Sequence, residues 1–411
     1  MNLQFFKKNF LIIIAIVIHL SFYVSYFLQT DSLIYPPNHY HLNYKGLDFF
    51  QVPKSAYAFW NFKTFNAGID DYFGVQKVTS NRNVYHPFFT LAFGSPFLLF
   101  SPNIAFEVWI YIKAFLWILT GIYLWQSFKN HPYRQWALFF FAANFTLGLD
   151  IRIGQFQALL NLALLWALLH WFKGNRPYFT LAYVASLVIK PAAILWLAVL
   201  FIRRHYKIVF EVLLITTVVT VPFLWNNLAD YYFANLKRRI FTDAVYGFPD
   251  ILTLNAFFKN LGVKLSWLFT LKMVVVSGSL ALAFFRRISS FTLFYLLCLH
   301  GIFFDQMIYE YHYSIVIPFF VTGVLFVPSL QKPFARFIMV WAQLPSCYFL
   351  FKITHNPHLV AGMIDGLIWR RLLALRLLPL CILAIYLLAC DLQSGSGKKK
   401  EKWGELPGLI L

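Results

Sequence analysis

Cysteine and charge are the two features this sequence has least of. Its 411 residues include four cysteines, and all of them lie in or beside apolar runs. That placement argues against a disulfide framework and a metal cluster, so we interpret them as buried thiols. Charged residues make up 12% of the chain and hydrophobic residues 60%. Soluble domains carry about a quarter charged residues, so the composition excludes an ordinary soluble enzyme and indicates an all-α polytopic membrane protein.

Acidic residues are especially scarce, with 16 carboxylates against 35 lysines and arginines. In a soluble protein such an excess would suggest nucleic acid as a partner, but here the basic residues lie between apolar runs. Short loops rich in lysine and arginine stay in the cytoplasm. We therefore predict a multi-pass protein with cytoplasmic N- and C-termini, in a bacterial inner (plasma) membrane in preference to the endoplasmic reticulum. The basic clusters are at 7–8, 129–134, 173–176, 203–204, 286–287, 332–336 and 398–402.

Two of the twelve apolar runs are predicted to be interrupted. If 178–202 crossed the membrane once, the basic clusters before and after it would lie on opposite sides, and a helix break at Lys190-Pro191 removes this conflict. The run 86–101 contains Gly94-Ser95-Pro96 and is predicted to be a re-entrant or kinked pair of short helices. The expected fold is about ten full spans plus these two segments.

The predicted organisation is one integral membrane domain, 1–390, followed by a disordered, basic cytoplasmic tail, 391–411. The first run, 9–28, lacks a signal-peptide cleavage site and predicts a retained anchor. Further outer loops are predicted at 150–154, 226–264, 309–311 and 353–366.

The first outer loop, 29–85, carries the acidic residue of most interest, Asp48. Aromatic residues at helical spacing from Val52 to Phe65 predict amphipathic helices along the outer surface, where a lipid headgroup would be met. A carboxylate beside apolar surface is partly desolvated, as a general base requires. An ordinary loop acid or a helix cap is the alternative, and it is favoured for Asp70 and Asp71.

Three other polar groups are predicted to meet Asp48 in the outer half of the membrane. Gln157 and Asn161 share a helix face after the polar segment 150–155, where hydrogen bonding between helices is the alternative to a site. Lys190 is an intramembrane cation, which marks either a functional site or a buried ion pair. The segment 305–313 pairs carboxylates with a histidine for a sugar hydroxyl or a metal, although a metal needs three or four ligands.

Six short segments carry a family resemblance. In this order along the chain, they resemble the polyprenol-phosphate-sugar-dependent GT-C glycosyltransferases, and specifically glycosyltransferase family 87, the alpha-mannosyltransferase-like group. The similarity covers residues 46 to 320. His86 stands where the family has a proline, and the asparagine expected soon after Gln155 comes later, at Asn161. The segments are Gly46-Leu47-Asp48-Phe49, Tyr85-His86-Pro87 through Phe97, Gly154-Gln155, Lys190-Pro191, Asn255, and Tyr311-His312-Tyr313 through Pro318.

The resemblance implies a GT-C-type bundle and an inverting glycosyltransferase. The enzyme would move a hexose, with mannose preferred, from a polyprenyl-phosphate sugar to a glycan or glycolipid hydroxyl at the outer or lumenal face. A lipid donor also explains why no nucleotide-binding motif is present. Asp48 would accept the acceptor proton, while Arg152 and Lys190 would bind the donor phosphate. The resemblance implies no particular cofactor and leaves a divalent metal open. Substrate contacts are predicted for Tyr85, His86, Gln155, Asn255, Glu310 and His312.

Two other classes of protein fit part of the pattern. Broken helices and an intramembrane lysine also characterise transporters and flippases. A transporter predicts internal repeats, however, and no convincing repeat relates the two halves of this chain. A non-catalytic assembly subunit is the second alternative, and it would make Asp48 dispensable.

Overall fold

The computed structural model describes residues 3–27, 46, 48–62, 71–72, 75–76, 83, 85–144, 146–223, 265–285, 287–304, 310–344 and 376–394. Within these ranges the protein is helical apart from one small antiparallel hairpin. Its strands are β1 (Asp71–Tyr72) and β2 (Val75–Gln76). The predicted all-α class is confirmed.

The described part of the chain forms fifteen α-helices and four short 3₁₀ segments. The α-helices are α1 (Leu3–Phe27), α2 (Gln51–Phe62), α3 (Pro87–Phe97), α4 (Pro102–Ser127), α5 (Arg134–Ala142), α6 (Thr146–Ile153), α7 (Gln157–Phe172), α8 (Arg176–Ile189), α9 (Trp196–Ile202), α10 (Tyr206–Thr220), α11 (Leu265–Phe284), α12 (Ser290–Phe304), α13 (Ile317–Phe326), α14 (Pro333–Gln343) and α15 (Leu378–Ser394). The 3₁₀ segments are Pro191–Ala193, Val221–Phe223, Glu310–Val316 and Pro328–Gln331.

Helix α7 forms the centre of the bundle. It is apolar on every side, and Leu164, Leu165 and Leu168 have no exposed surface. A helix with no polar face must be enclosed by other elements. Helices α8 and α13 and the 3₁₀ segment Glu310–Val316 pack against it. Its 16 residues span about 24 Å, which separates the two ends of the bundle.

Several helices at the periphery of the bundle expose apolar faces. Phe210 and Val218 on α10 and Trp267 on α11 are each more than 60% exposed. Such surface is unfavourable in water but natural against lipid. Among the residues that the structure describes, two stretches, Pro102–Ser127 and Tyr206–Phe223, are long and apolar enough to cross a membrane, and six shorter apolar helices have 10–17 residues. These features indicate membrane association, while the count of about ten spans stays a prediction.

Turns that carry basic clusters meet at one end of the bundle. Lys173, after α7, donates a hydrogen bond to the Tyr123 hydroxyl near the end of α4 (2.9 Å). Trp171 packs edge-on against His205 in the turn between α9 and α10, where Arg203 donates to a carbonyl before α12. Burial and the Arg203 charge lower the pKa of His205, so this imidazole adds no charge at neutral pH. The cytoplasmic assignment of this end stays a prediction.

The break at Lys190-Pro191 is confirmed. Helix α8 ends at Ile189, Lys190 is extended (φ −154°, ψ 128°), and the chain resumes as the 3₁₀ segment Pro191–Ala193. Proline disfavours helical backbone in the residue before it and has no N–H for the ladder. The Tyr183 hydroxyl donates to the carbonyl of Ala193 (2.8 Å), which satisfies one acceptor of the interruption.

The prediction of two short helices within 86–101 is wrong. The structure has one 11-residue helix, α3, which runs through Gly94 and Pro96. Pro96 lies in its last turn, and the helix ends one residue later, at Phe97. Gly94 is retained inside the helix because α2 packs closely against it. A Cβ at Gly94 would lie 2.9 Å from the Val52 carbonyl oxygen and 3.0 Å from the Ala56 Cβ.

This packing predicts opposite effects for two glycine-to-alanine substitutions. Gly94→Ala should destabilise the protein by about 1–3 kcal/mol, because the α2 backbone has to move. Gly121→Ala in α4 should instead be neutral or stabilising by up to about 1 kcal/mol, since alanine is the better helix former. There the new Cβ has its nearest neighbour at 3.7 Å. Thermal unfolding in detergent measures both variants, and equal shifts would contradict the close α2–α3 contact.

Three further boundaries differ from the sequence prediction. The run 135–149 is split into α5 and α6, and the Asn144 side chain accepts a hydrogen bond from the Thr146 amide at the start of α6 (3.0 Å). The loop predicted at 150–154 is instead the end of α6 and a turn. The last helix extends to Ser394, inside the predicted tail, where Asp391 accepts hydrogen bonds from Ser289. Asn144 and Asp391 each supply local hydrogen bonds that apolar periodicity does not register.

Candidate active site

Asp48 lies in the turn that precedes α2. The turn begins at Gly46 (φ +74°), in the left-handed region that glycine adopts without strain, and the Gly46 carbonyl accepts a hydrogen bond from the Phe50 amide (2.9 Å). Phe49 is fully buried and anchors the turn. This anchoring fixes the backbone on which Asp48 sits. The rings around Phe49 are Phe50, Phe97, Phe106, Trp109 and Phe156.

Two glutamine amides hold the Asp48 carboxylate. Gln51 Nε2 donates to Oδ1 (3.1 Å), and Gln155 Nε2 donates to Oδ2. Asp48 is only 6% exposed, so these contacts are made largely out of water. Hydrogen bonds to both oxygens stabilise the negative charge and fix the plane of the carboxylate.

Gln155 reaches Asp48 because of the turn that ends α6. Gly154 has φ +75°, and a Cβ there would lie 2.5 Å from Phe106 Cε2 and 2.7 Å from Phe49 Cβ. The amides of Gly154 and Gln155 both donate to the Asp150 carbonyl (3.0 and 3.1 Å), which closes the helix end. The Gly-Gln pair therefore acts as a unit, in which the glycine permits the close approach and the glutamine makes the contact.

Tyr85 extends the same network. Its hydroxyl donates to Gln155 Oε1 (3.0 Å), and its own backbone amide donates to the Asn83 side chain (2.9 Å). Asn83 in turn donates to Thr90 in α3 (2.9 Å). The path from Asp48 through Gln155 to Tyr85 is buried at every residue.

Lys190 lies beyond Tyr85 at the helix break. Its ammonium nitrogen is 6.0 Å from the centroid of the Tyr85 ring and 3.1 Å from His312 Nε2. The structure therefore brings Lys190, His312, Tyr85, Gln155 and Asp48 together, although they come from five separate segments.

The polar residues of α7 make a contact between elements. Gln157 Nε2 donates to Asn161 Oδ1 (3.1 Å), and Asn161 Nδ2 donates to the Ser314 hydroxyl (2.7 Å) in the 3₁₀ segment that also carries His312. This is the hydrogen-bonding alternative considered for the pair. It attaches the His312 segment to α7.

His86 has a structural contact in addition to its predicted role in substrate binding. Its Nδ1 accepts a hydrogen bond from the Phe88 amide (3.1 Å) as the N-cap of α3, and its Nε2 lies 3.0 Å from the Thr220 hydroxyl in α10. The ring thereby joins α3 to α10. Three other predicted site groups, the side chains of Arg152 and Glu310 and the whole of Asn255, lie outside what the structure describes.

Sequence reasoning missed Lys113. This residue lies in the middle of α4, is buried, and forms an ion pair with Asp150 (2.8 Å) directly behind the Gln155 turn. The signal was present, because a lysine inside a 26-residue apolar helix is an intramembrane cation by the same criterion that singled out Lys190.

The described residues include no group of three or more histidine, cysteine or acidic side chains that would hold a metal ion. Asp48 is surrounded by amide donors, and these are partners for a negative charge. The described part of the site therefore holds a carboxylate with amide donors, connected through Gln155 and Tyr85 to the Lys190 ammonium.

An all-helical fold with exposed apolar faces and a polar site buried among apolar helices indicates a membrane-associated protein. The sequence profile of glycosyltransferase family 87 matches residues 83–304, just over half of the chain. The chain therefore belongs to glycosyltransferase family 87 and is a glycosyltransferase, which confirms the resemblance and decides against a transporter or a non-catalytic subunit. No curated protein and no solved structure matches it significantly. Asp48 and His312 lie outside the matched residues.

Proposed function

We propose that this enzyme transfers a hexose from a polyprenyl-phosphate sugar to a hydroxyl of a glycan or glycolipid at the outer or lumenal membrane face. Mannose is the preferred sugar in this proposal. The observation that carries the proposal is the buried connection from the Asp48 carboxylate through Gln155 and Tyr85 to Lys190. This connection supports the proposal, because a sugar phosphate donor requires a proton acceptor and a phosphate-binding cation in one site, and we propose these roles for Asp48 and Lys190.

The proposed reaction is a single displacement. The acceptor hydroxyl oxygen forms a bond to the anomeric carbon while Asp48 accepts its proton. On the opposite face, the bond from the anomeric carbon to the phosphate oxygen breaks, and its electron pair leaves with polyprenyl phosphate. Lys190, together with Arg152, stabilises the charge that grows on this leaving group. The configuration at the anomeric carbon is inverted, and Asp48 returns its proton to water.

The amides of Gln51 and Gln155 support Asp48 as the base. A carboxylate with its charge stabilised by two fixed donors stays ionised and correctly oriented until the acceptor arrives.

Apolar surface beside the site supports a lipid donor. His86 contacts Thr220, which brings the N-terminus of α3 next to the end of α10. Phe88 on α3 and Val218 on α10 are both exposed. A polyprenyl phosphate bound at Lys190 can therefore leave its chain against apolar side chains and lipid, whereas Phe88 and Val218 offer a nucleotide no polar contact.

A comparison of donors tests this proposal. Purified enzyme in phospholipid vesicles should transfer label from a short-chain polyprenyl-phosphate [³H]mannose, but not from GDP-[³H]mannose, to a glycolipid extract of the source membranes. With a β-linked donor, inversion gives an α-linked product that an α-mannosidase removes. If label is transferred from GDP-mannose alone, the proposal of a lipid donor is wrong. If the product is β-linked, the proposal of inversion at the anomeric carbon is wrong. The same assay with polyprenyl-phosphate glucose tests the choice of sugar.

A further inference from the structure

The Lys113 ammonium makes three hydrogen bonds behind the Gln155 turn. It donates to the Asp150 carboxylate and the Asp150 carbonyl (2.8 Å each) and, more weakly, to the Gln155 carbonyl (3.4 Å). Lys113 and Asp150 are both almost fully buried. Two of these acceptors are backbone carbonyls at the end of α6, where a cation is favoured.

Trp109, one helical turn before Lys113 on α4, acts on the same segment. Its indole N–H donates to the Gly154 carbonyl (3.0 Å), and it is fully buried. Residues four apart share a face of a helix. One face of α4 therefore holds the carbonyls of Asp150, Gly154 and Gln155.

We propose that Lys113, paired with Asp150, is a positioning residue for the catalytic base. It fixes the backbone of residues 150–155 so that the Gln155 amide meets the Asp48 carboxylate in the geometry for proton transfer. This inference rests on the proposed function, because it requires Asp48 to be the base. Lys113 touches neither Asp48 nor the reacting atoms, and its effect passes through Gln155.

The location of the ion pair favours this role over a purely structural one. A buried ion pair is weak as a source of stability, because desolvation offsets much of its attraction. This pair, however, is placed where its cation reaches the backbone on both sides of Gly154. A displacement of about 1 Å at a catalytic group is enough to lower turnover about 100-fold, so rigidity at this turn has a large kinetic effect.

The single substitution Lys113→Met would leave the Asp150 carboxylate buried without its cation, which is strongly destabilising. The test therefore uses the double variant Lys113→Met/Asp150→Asn, which removes both charges and keeps the side-chain volumes. We expect turnover to fall about 10- to 100-fold while the KM for polyprenyl-phosphate mannose changes by less than about threefold. A matched control is Arg176→Met/Glu211→Gln, which removes the ion pair between α8 and α10 and should leave turnover unchanged.

A double-mutant cycle with Gln155→Met separates positioning from general loosening. If Lys113 acts through Gln155, the Lys113/Asp150 substitutions should lower turnover little further in the Gln155→Met background. Losses that multiply independently would overturn the positioning role. Asp48→Asn is assayed in parallel. If Asp48→Asn keeps full turnover, the assignment of Asp48 as the base and the inference about Lys113 are both wrong. If Asp48→Asn is inactive but the losses from the Lys113/Asp150 and Gln155 substitutions multiply independently, only the inference about Lys113 is wrong.

Discussion

Replacing Asp48 by asparagine should lower turnover by about 10²- to 10⁴-fold, the range that general base catalysis contributes. Asparagine keeps the shape of the side chain but cannot accept the acceptor proton. The site should tolerate it, because the Gln51 amide can turn its oxygen, which accepts no hydrogen bond within the described residues, toward the new N–H. The measurement is initial-rate transfer from polyprenyl-phosphate mannose, with thermal unfolding recorded on the same preparation.

Asp391→Asn is the matched control for Asp48→Asn. Asp391 also accepts hydrogen bonds, from the amide and hydroxyl of Ser289, but it lies on α15 and has no place in the proposed site. Its substitution should lower the unfolding temperature slightly and leave turnover unchanged. If the two variants lose the same activity, or if Asp48→Asn stays fully active, Asp48 is not the base.

The parts of the fold that follow local rules were predictable from the sequence. The break at Lys190-Pro191 depends on what proline does to its own backbone and to the preceding residue, and no distant contact is needed. The helix in the first outer loop, α2, follows from aromatic spacing in the same way. The same rule failed at Pro96, where the chain stays helical through the proline and the helix ends one residue later.

The connections within the site could not be predicted from local pattern. Gln155 is 107 positions from Asp48, and the sequence assigned it to substrate rather than to the base. The contact between Gln155 and Asp48 depends on Phe49 and Phe106 packing over Gly154. Such a tertiary contact leaves no periodic pattern in the sequence. Lys113 was overlooked for a related reason, because its partner Asp150 was expected in a loop rather than in a helix.

The two ends of the bundle differ in the surroundings of their lysine side chains. Helix α7 begins at the site with Gln157 and Asn161 and ends at the basic turn that carries Lys173. Lysines at the two ends therefore have different surroundings, since Lys173 is exposed beside aromatic rings and Lys190 is buried beside His312. This difference provides an internal control for the second large effect.

Lys190→Met should lower turnover by about 10²- to 10³-fold, comparable with the loss of one electrostatic donor to a developing charge. Methionine has a similar length and no charge, so the substitution removes the cation without opening a cavity. Thermal unfolding recorded on the same preparation separates a loss of folded protein from a loss of catalysis. The effect should appear in turnover more than in KM, since charge on the phosphate is greatest in the transition state.

Lys173→Met serves as the comparison for Lys190→Met. Both variants remove one positive charge from the chain, so a general effect of net charge on vesicle binding or donor recruitment would be shared. A specific role in leaving-group stabilisation predicts normal turnover in Lys173→Met, a large loss in Lys190→Met and partial recovery in Lys190→Arg, which restores the charge in a different shape. A rise in KM with unchanged turnover in Lys190→Met would instead limit Lys190 to donor binding. If Lys190→Met and Lys173→Met have equal activities, Lys190 has no specific role in the transfer.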